Sequence, residues 1–502
     1  MVCAAQVDSM TSELVTRTSP IQTSALTGAV VFDDTRYPLS GARQPQMETL
    51  MTELSDIEMA QALTKLGVKE GSRLKPNDSG ANLLALQNFM LTYFLPTDLI
   101  YFAIALLGAI HTFFRAKQLG DEEYRRYYFS TLMLRRNKRI HALPSCIQEV
   151  LGGVFILCGP SGSGKTSFFR QFIARLPKPF VLNNSPIPAL PSLQGVWVFP
   201  VVHLFYPICG TVRGLVRDMR EYFVGVINDA RDGDEEHNDE PQLPDMLASE
   251  PENAAITACI AMNVGMVVLD GAGIRHSNWK TDAVLDFLLK LREKSGIPVV
   301  LSCTAAFLKS IEHHQTLYAN LTNGTMLNLE PIPAPLPPPT KPMPDGKLPP
   351  DMDVFRQMCK SWWAAGLLGR KTPMPRGMED WVYEISLGHN RFSATAFDAI
   401  HKHIATTCCA DPQSPVPYKF DPKTLTKEVV QTVVRRNLFA SQGALAAIVA
   451  ANDVSVAEQD GKSSVVRQEV LNYVDYLPTS VIHKERIAAW VTPRKENPRS
   501  LR

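Results

Sequence analysis

Residues 151–176 read LGGVFILCGPSGSGKTSFFRQFIARL, and this stretch decides the fold. The apolar run 154–157 leads into a glycine-rich turn, beyond which apolar residues recur at helical spacing. The turn, Gly159-Pro160-Ser161-Gly162-Ser163-Gly164-Lys165-Thr166, matches G-x-x-x-x-G-K-[ST] in full. Small residues there let backbone N–H groups converge on an anion, and the positive end of the following helix adds to the attraction. The bare pattern also arises by chance, but the apolar strand before it and the helix after it make a nucleotide the specific reading. Gly159 through Thr166, with Ser167, are therefore the candidate nucleotide-binding residues. Lys165 would reach the β- and γ-phosphates and the Thr166 hydroxyl would ligate Mg²⁺, so ATP and Mg²⁺ are the expected cofactors.

Downstream, short apolar runs at 195–204, 265–269 and 298–302 alternate with helical patterns at 164–176, 211–228, 254–263 and 281–294. Strands this short between helices this long predict an α/β fold, a parallel sheet covered on both faces. Pro200 marks an edge position or a bulge within the run 195–204. Asp270 closes its strand at the carboxyl edge, where ligands of open α/β sheets collect, and is the expected magnesium carboxylate and catalytic group. The alternative is an aspartate that opens a turn with Gly271. The run Asp270-Gly271-Ala272-Gly273 has no acid to orient an attacking water, so hydrolysis is expected to be weak or partner-dependent. Arg275 and His276, just beyond, are expected at the surface. Thr304 follows the strand at 298–302 and has two readings, a hydroxyl that senses the γ-phosphate or a cap for the next helix. Arg391 follows Gly388-His389-Asn390 before a helical stretch, and is either a lid residue reaching the nucleotide or a surface arginine.

With 502 residues the chain has room for two or three domains. We divide it into a polar, partly disordered arm (1–80), a helical region (81–150), the nucleotide-binding core (151–330), a proline-rich spacer (331–351), a helical lid (352–455) and a basic tail (456–502). The acidic stretch 229–253 reads as a solvated loop. A net charge of +1 excludes a global field for polyanions, so a nucleic-acid site would have to be local. Nine cysteines without a C-x-x-C pair indicate neither a zinc ribbon nor a disulfide framework, and fit reduced thiols in the cytoplasm. The N-terminus lacks an apolar signal-peptide core. The apolar run 99–110 falls short of the roughly twenty residues of a spanning helix, so a buried helix and no membrane are expected.

Arg213, Arg217 and Arg220 fall at i, i+4 and i+7, on one helix face that could follow a phosphate backbone. Asp218 and Glu221 interleave with them, so a solvated helix surface is the other reading. Arg135 and Arg136, with Lys138 and Arg139, form a second cluster, and the tail from residue 483 is a third. Tyr124, Tyr127 and Tyr128 either stack bases or belong to the core.

The chain resembles the TnsC/TniB-type AAA+ regulators of DNA transposition over about residues 90–450. The likeness is carried by ILCGPSGSGKTSFFRQF, GMVVLD, LDFLLKLREKSGIPVVLSCTAAF and WWAAGLLGRKTPMPRGMEDWVYEISLGHNRFSATAF, with KTLTKEVVQTVVRRN as the final lid helix. It implies an AAA+ core with a helical lid that binds ATP and forms a homo-oligomer on duplex DNA. It further implies a link between a target-selector protein and a transposase, in the cytoplasm of a bacterium carrying a mobile element. The tail could meet the transposase or DNA. Three features depart from the family pattern: Gly271 stands where a glutamate is usual, residues 309–330 hold no arginine for a neighbouring subunit, and the proline-rich spacer is inserted.

Overall fold

Short, largely apolar runs, most of them rich in valine, pair as one parallel sheet, because each strand is long enough to cross a core but too short to leave it. In the computed structural model the described residues are 38–65, 74–75, 78–94, 96–132, 140–183, 195–231, 250–337, 353–369, 372–407, 421–457 and 472–482. The strands are β1 (Val154–Cys158), β2 (Phe180–Val181), β3 (Trp197–Val198), β4 (Val202–Phe205), β5 (Val267–Ala272), β6 (Val299–Cys303) and β7 (Thr325–Asn328). The main sheet runs β4-β5-β6-β1-β7 with every pairing parallel. Every residue of β1 and of β6 is buried, the continuous apolar pattern of a sheet covered on both faces.

Register places the site. Val154 lies opposite Val299 and Cys158 opposite Cys303, so β1 and β6 end at one level. β5 follows β6 up to Leu269 opposite Leu301, then slips so that Ala272 faces Cys303. Gly159, Asp270 and Thr304 thereby emerge along one edge of the sheet.

Two segments differ from the sequence reading. The run 195–204 splits: β3 pairs antiparallel with β2, and β4 is the edge of the main sheet. Pro200 sits between them, where it has no N–H to give to a ladder. The edge strand β7 pairs only with β1 and is half exposed, which hides it from an apolar-run search.

The apolar run 99–110 is the middle of a longer helix, Thr97–Ala116. Its 20 residues, with mean hydropathy 1.7, are enough to cross a membrane by length and composition, but 56% of that apolar window is buried in the fold. The helix continues past His111 because that imidazole is itself buried, with Nε2 2.8 Å from the Leu50 carbonyl oxygen, and because Phe113 and Phe114 extend the buried stripe. Part of the segment assigned to the arm packs here too. Ser55 and Glu58 form a reciprocal cap at the start of Asp56–Leu63, and Met47, Leu50, Met59 and Leu63 are buried. The Gln44 amide donates to the Val181 carbonyl at 2.9 Å, and its oxygen accepts from Asn183 N–H at 3.0 Å. Tyr124, Tyr127 and Tyr128 belong to the core: Tyr127 donates to the Lys294 carbonyl and Asn263 donates to the Tyr128 hydroxyl.

Helices Val354–Ala364, Met378–Ser386, Asn390–Thr407, Lys427–Asn437 and Gln442–Ala457 occupy the region read as the lid. Phe89 packs on Trp362 and His401 with ring centroids 5.4 and 5.0 Å apart, so the region before the core braces these helices. From the region read as a tail, residues 472–482 lie over the carboxyl edge of the sheet, and Thr479–Ile482 packs on the helix Ala305–Ser310. Arg135, Arg136, residues 1–37, most of the acidic loop, most of the proline-rich spacer and the chain from 483 lie outside the described residues.

Lys117 ends the long helix with its ammonium 4.5 and 4.7 Å from the Phe113 and Phe114 ring centroids. Burial pushes it down to about 7 from an ordinary 10.5, although the ring faces return part of the cost of desolvation. The unfolded chain therefore binds this proton more tightly, and stability should rise with pH from about 7 to about 10.5, with the full cost present below 7. Lys117→Met is expected to raise the melting temperature at about pH 6, with the gain shrinking toward about pH 10. Thermal scans of both proteins across that range check it.

Candidate nucleotide site

The buried strand β1 delivers the glycine-rich loop to the sheet edge, and the helix Lys165–Arg175 starts directly from it. Phe168, Phe169 and Phe172 bury one face of that helix and so fix where its amino end points. Lys165 is only 8% exposed. Its ammonium donates to the Gly159 and Pro160 carbonyls at 2.7 and 2.9 Å and to Ser163 Oγ at 3.4 Å. Burial lowers its pKa, while the nearby thiols and the carboxylates of Asp270 and Asp475 pull the other way. The cation is thus held by carbonyl oxygens of its own loop, beside the path an anion would take.

Asp270 is fully buried on β5. Burial raises its carboxyl, but His203, Ser302 and Thr166 face it and bring it below its ordinary value. His203 Nε2 lies 3.4 Å from Oδ2, while Oδ1 and the Ser302 hydroxyl oxygen are buried with no hydrogen-bond partner. An unpaired carboxylate oxygen costs free energy in a dry site unless something supplies positive charge. A carboxylate facing a threonine hydroxyl is the oxygen donor set that a hard divalent cation takes, so Thr166 and Asp270 fit Mg²⁺. His203 was missed in sequence, because a single histidine in a strand carries no pattern.

Of the two readings of Thr304, the structure shows the cap. Its hydroxyl oxygen accepts from Phe307 N–H at 3.3 Å, which caps Ala305–Ser310, and its proton goes to Asp475 Oδ1 at 2.5 Å. His276, expected at the surface, is buried, and its Nδ1 accepts from Gly273 N–H at 3.1 Å. That ring is occupied with bracing the turn after β5.

One cavity of about 710 Å³ joins these groups. Ser161, Gly162, Gly164, Lys165, Thr166 and Ser167 line it together with Asp270, Thr304 and Arg391. Gly159, Pro160 and Ser163 supply the oxygens that hold Lys165 instead. Arg391 N–H donates to the Gly162 carbonyl at 3.2 Å and the Asn390 amide to the Ser163 carbonyl at 3.2 Å, so the lid helix rests on the loop itself. At another part of the wall stand Met90, Tyr93 and Trp362, which offer an apolar surface. Tyr93 Oη and Trp362 Nε1 are buried without a hydrogen-bond partner. These three, with Asp475, are site residues that sequence spacing did not mark. Arg213, Arg217 and Arg220 are exposed on Val212–Arg231 and stand outside the cavity.

The parallel sheet and the strand that leads through the glycine-rich loop into a helix give the chain the α/β fold of a P-loop NTPase. No family model and no curated protein matches it. Among solved structures it is similar to the Walker-type ATPase of Pyrococcus abyssi, at 10% identity over 64% of this chain and 84% of that one, with a TM-score of 0.35. It is also similar to NtrX from Brucella abortus in complex with ADP, at 12% identity over 82% and 80% of the two chains, with a TM-score of 0.25. Likenesses this distant carry no weight here beside the sheet order and the loop.

Gly271 has φ +82°, a backbone state that side chains other than glycine's rarely adopt. A Cβ there would meet only Phe205 Cδ1, at 3.8 Å, so the backbone rather than space resists substitution. Gly271→Glu should lower stability by roughly 1–2 kcal/mol, read as a lower denaturant midpoint at an unchanged slope.

Proposed function

We propose that the chain is a nucleotide-gated regulator that binds MgATP in this cavity and, so loaded, assembles on duplex DNA to connect target selection with a transposase. The observation that carries the nucleotide part is the meeting of Lys165, Thr166 and Asp270 with the lid residue Arg391 around one cavity. Lys165 would leave the Gly159 and Pro160 carbonyls for the β- and γ-phosphates. Thr166 and Asp270 would hold Mg²⁺, whose charge offsets that of the phosphates. Because Arg391 and Asn390 already lean on the loop, occupancy of the cavity would bias the lid against the sheet.

The DNA part rests on the resemblance in sequence and on Arg213, Arg217 and Arg220, exposed on one helix. Arg217 shares its charge with Asp218 at 3.3 Å and Glu221 at 3.8 Å, contacts that salt and solvent weaken. A second reading, nucleotide-dependent docking of a protein, draws on Phe205, Ile208 and Trp279, which are 54%, 96% and 46% exposed. Phe205 lies beside Gly271 at the cavity rim.

Duplex binding followed by fluorescence anisotropy, with no nucleotide, ADP, ATP or a non-hydrolysable analogue, separates the two. ATP or its analogue should tighten binding about tenfold or more, and Lys165→Ala should abolish the gain. Replacing Arg213, Arg217 and Arg220 together with alanine should cut the slope of log affinity against log salt by about 2–3. Nucleotide binding with no DNA association under any of these conditions overturns the DNA reading and leaves a switch acting on proteins.

A further inference from the structure

A second carboxylate, absent at position 271 of β5, stands in the same cavity, brought there by the segment 472–482. We propose that Asp475 holds and deprotonates the water that attacks the γ-phosphate, doing from the C-terminal segment what a residue at position 271 would otherwise do. This rests on the MgATP reading of the cavity.

Asp475 is tied to three elements at once. Thr304 Oγ1 donates to its Oδ1 at 2.5 Å, at the end of β6. Ile274 N–H, just past β5, donates to both carboxylate oxygens at 2.9 and 3.1 Å. Ser161 N–H, in the glycine-rich loop after β1, donates to the Asp475 main-chain carbonyl at 2.6 Å. These are the elements that carry Lys165, Asp270 and Thr304. A carboxylate offers about four acceptor positions, and these donors use at most three, which leaves one for a water. Gly273 makes room for the group: a Cβ on it would lie 2.8 Å from Asp475 Oδ2.

The segment is anchored independently of that side chain. Tyr476 stacks on Phe392 of the lid at 6.2 Å, Thr479 donates to Asn328 Oδ1 at 2.5 Å, and Ser480 N–H donates to Glu330 Oε1 at 3.0 Å. Losing the carboxylate charge therefore leaves the segment in place. In the step itself the water oxygen bonds to the γ-phosphorus as its proton passes to Asp475. The bond from phosphorus to the bridging oxygen breaks, its electron pair stays on ADP, and the proton leaves with phosphate. The geometry also explains why Gly271 is tolerable: an acid there would duplicate one already delivered.

Asp475→Asn keeps the shape of the side chain and an oxygen for Thr304 and Ile274, but is a far weaker base. Full-length wild type and variant are compared by equilibrium binding of a fluorescent ATP analogue with Mg²⁺ and by single-turnover ATP hydrolysis. The variant should bind at least as tightly as wild type and hydrolyse about 100-fold or more slowly. Equal rates overturn the proposal, as does a wild type that binds ATP and hydrolyses none. Tighter nucleotide binding by Asp475→Asn with an unchanged rate of hydrolysis overturns it too, because the segment is then only a plug over the loop. A wild type that binds no nucleotide overturns both this proposal and the site reading beneath it, whereas the other outcomes leave nucleotide binding standing.

Discussion

The site depends on the level at which three parallel strands stop. With Cys158 opposite Cys303, and Ala272 brought opposite Cys303 by the slip in β5, the chain emerges from β1, β5 and β6 along one line. The fully buried sides of β1 and β6 make that level rigid, since a strand displaced along its neighbour would drag packed side chains out of register. Everything polar at the edge is positioned by this apolar constraint. The glycine-rich loop, Asp270 and Thr304 converge because the strands beneath them have no freedom to end elsewhere.

Two other parts of the chain close over that edge, and both do so through backbone groups. The lid gives Arg391 N–H to the Gly162 carbonyl, and the C-terminal segment takes Ser161 N–H on the Asp475 carbonyl. Main-chain contacts tie position to conformation without depending on side-chain charge, so the lid and the segment both register movement of the loop. Asp270 illustrates the opposing cost. A buried carboxylate oxygen without a partner is unfavourable by itself, and such a residue persists where a ligand offsets the penalty.

What could be read in the sequence was local. The strand, loop and helix at 151–176 were legible because the signal is contiguous, whereas Pro200 marked an edge or a bulge and not the full split between β3 and β4. β7 was not, because Thr325–Asn328 pairs on one side only and is half exposed, so no apolar run marks it. The helix Thr97–Ala116 looked shorter because His111 reads as a polar stop until the Leu50 carbonyl is seen beside it. Asp475 was beyond reach of any spacing rule: it lies in a region that reads as a basic tail, and its partners Ile274 and Thr304 are 201 and 171 residues away. Tertiary proximity of that kind is written in the packing of the segment and not in its composition.

The central claim is that this cavity is a magnesium-dependent ATP site, and calorimetric titration of ATP into the full chain, with Mg²⁺ and with a chelator, tests it most directly. One saturable site whose affinity falls about tenfold or more without Mg²⁺ is the predicted result, because Thr166 and Asp270 then lose the cation that joins them to the phosphates. No saturable binding, or binding indifferent to Mg²⁺, would contradict the assignment of Asp270 and with it the account of the site.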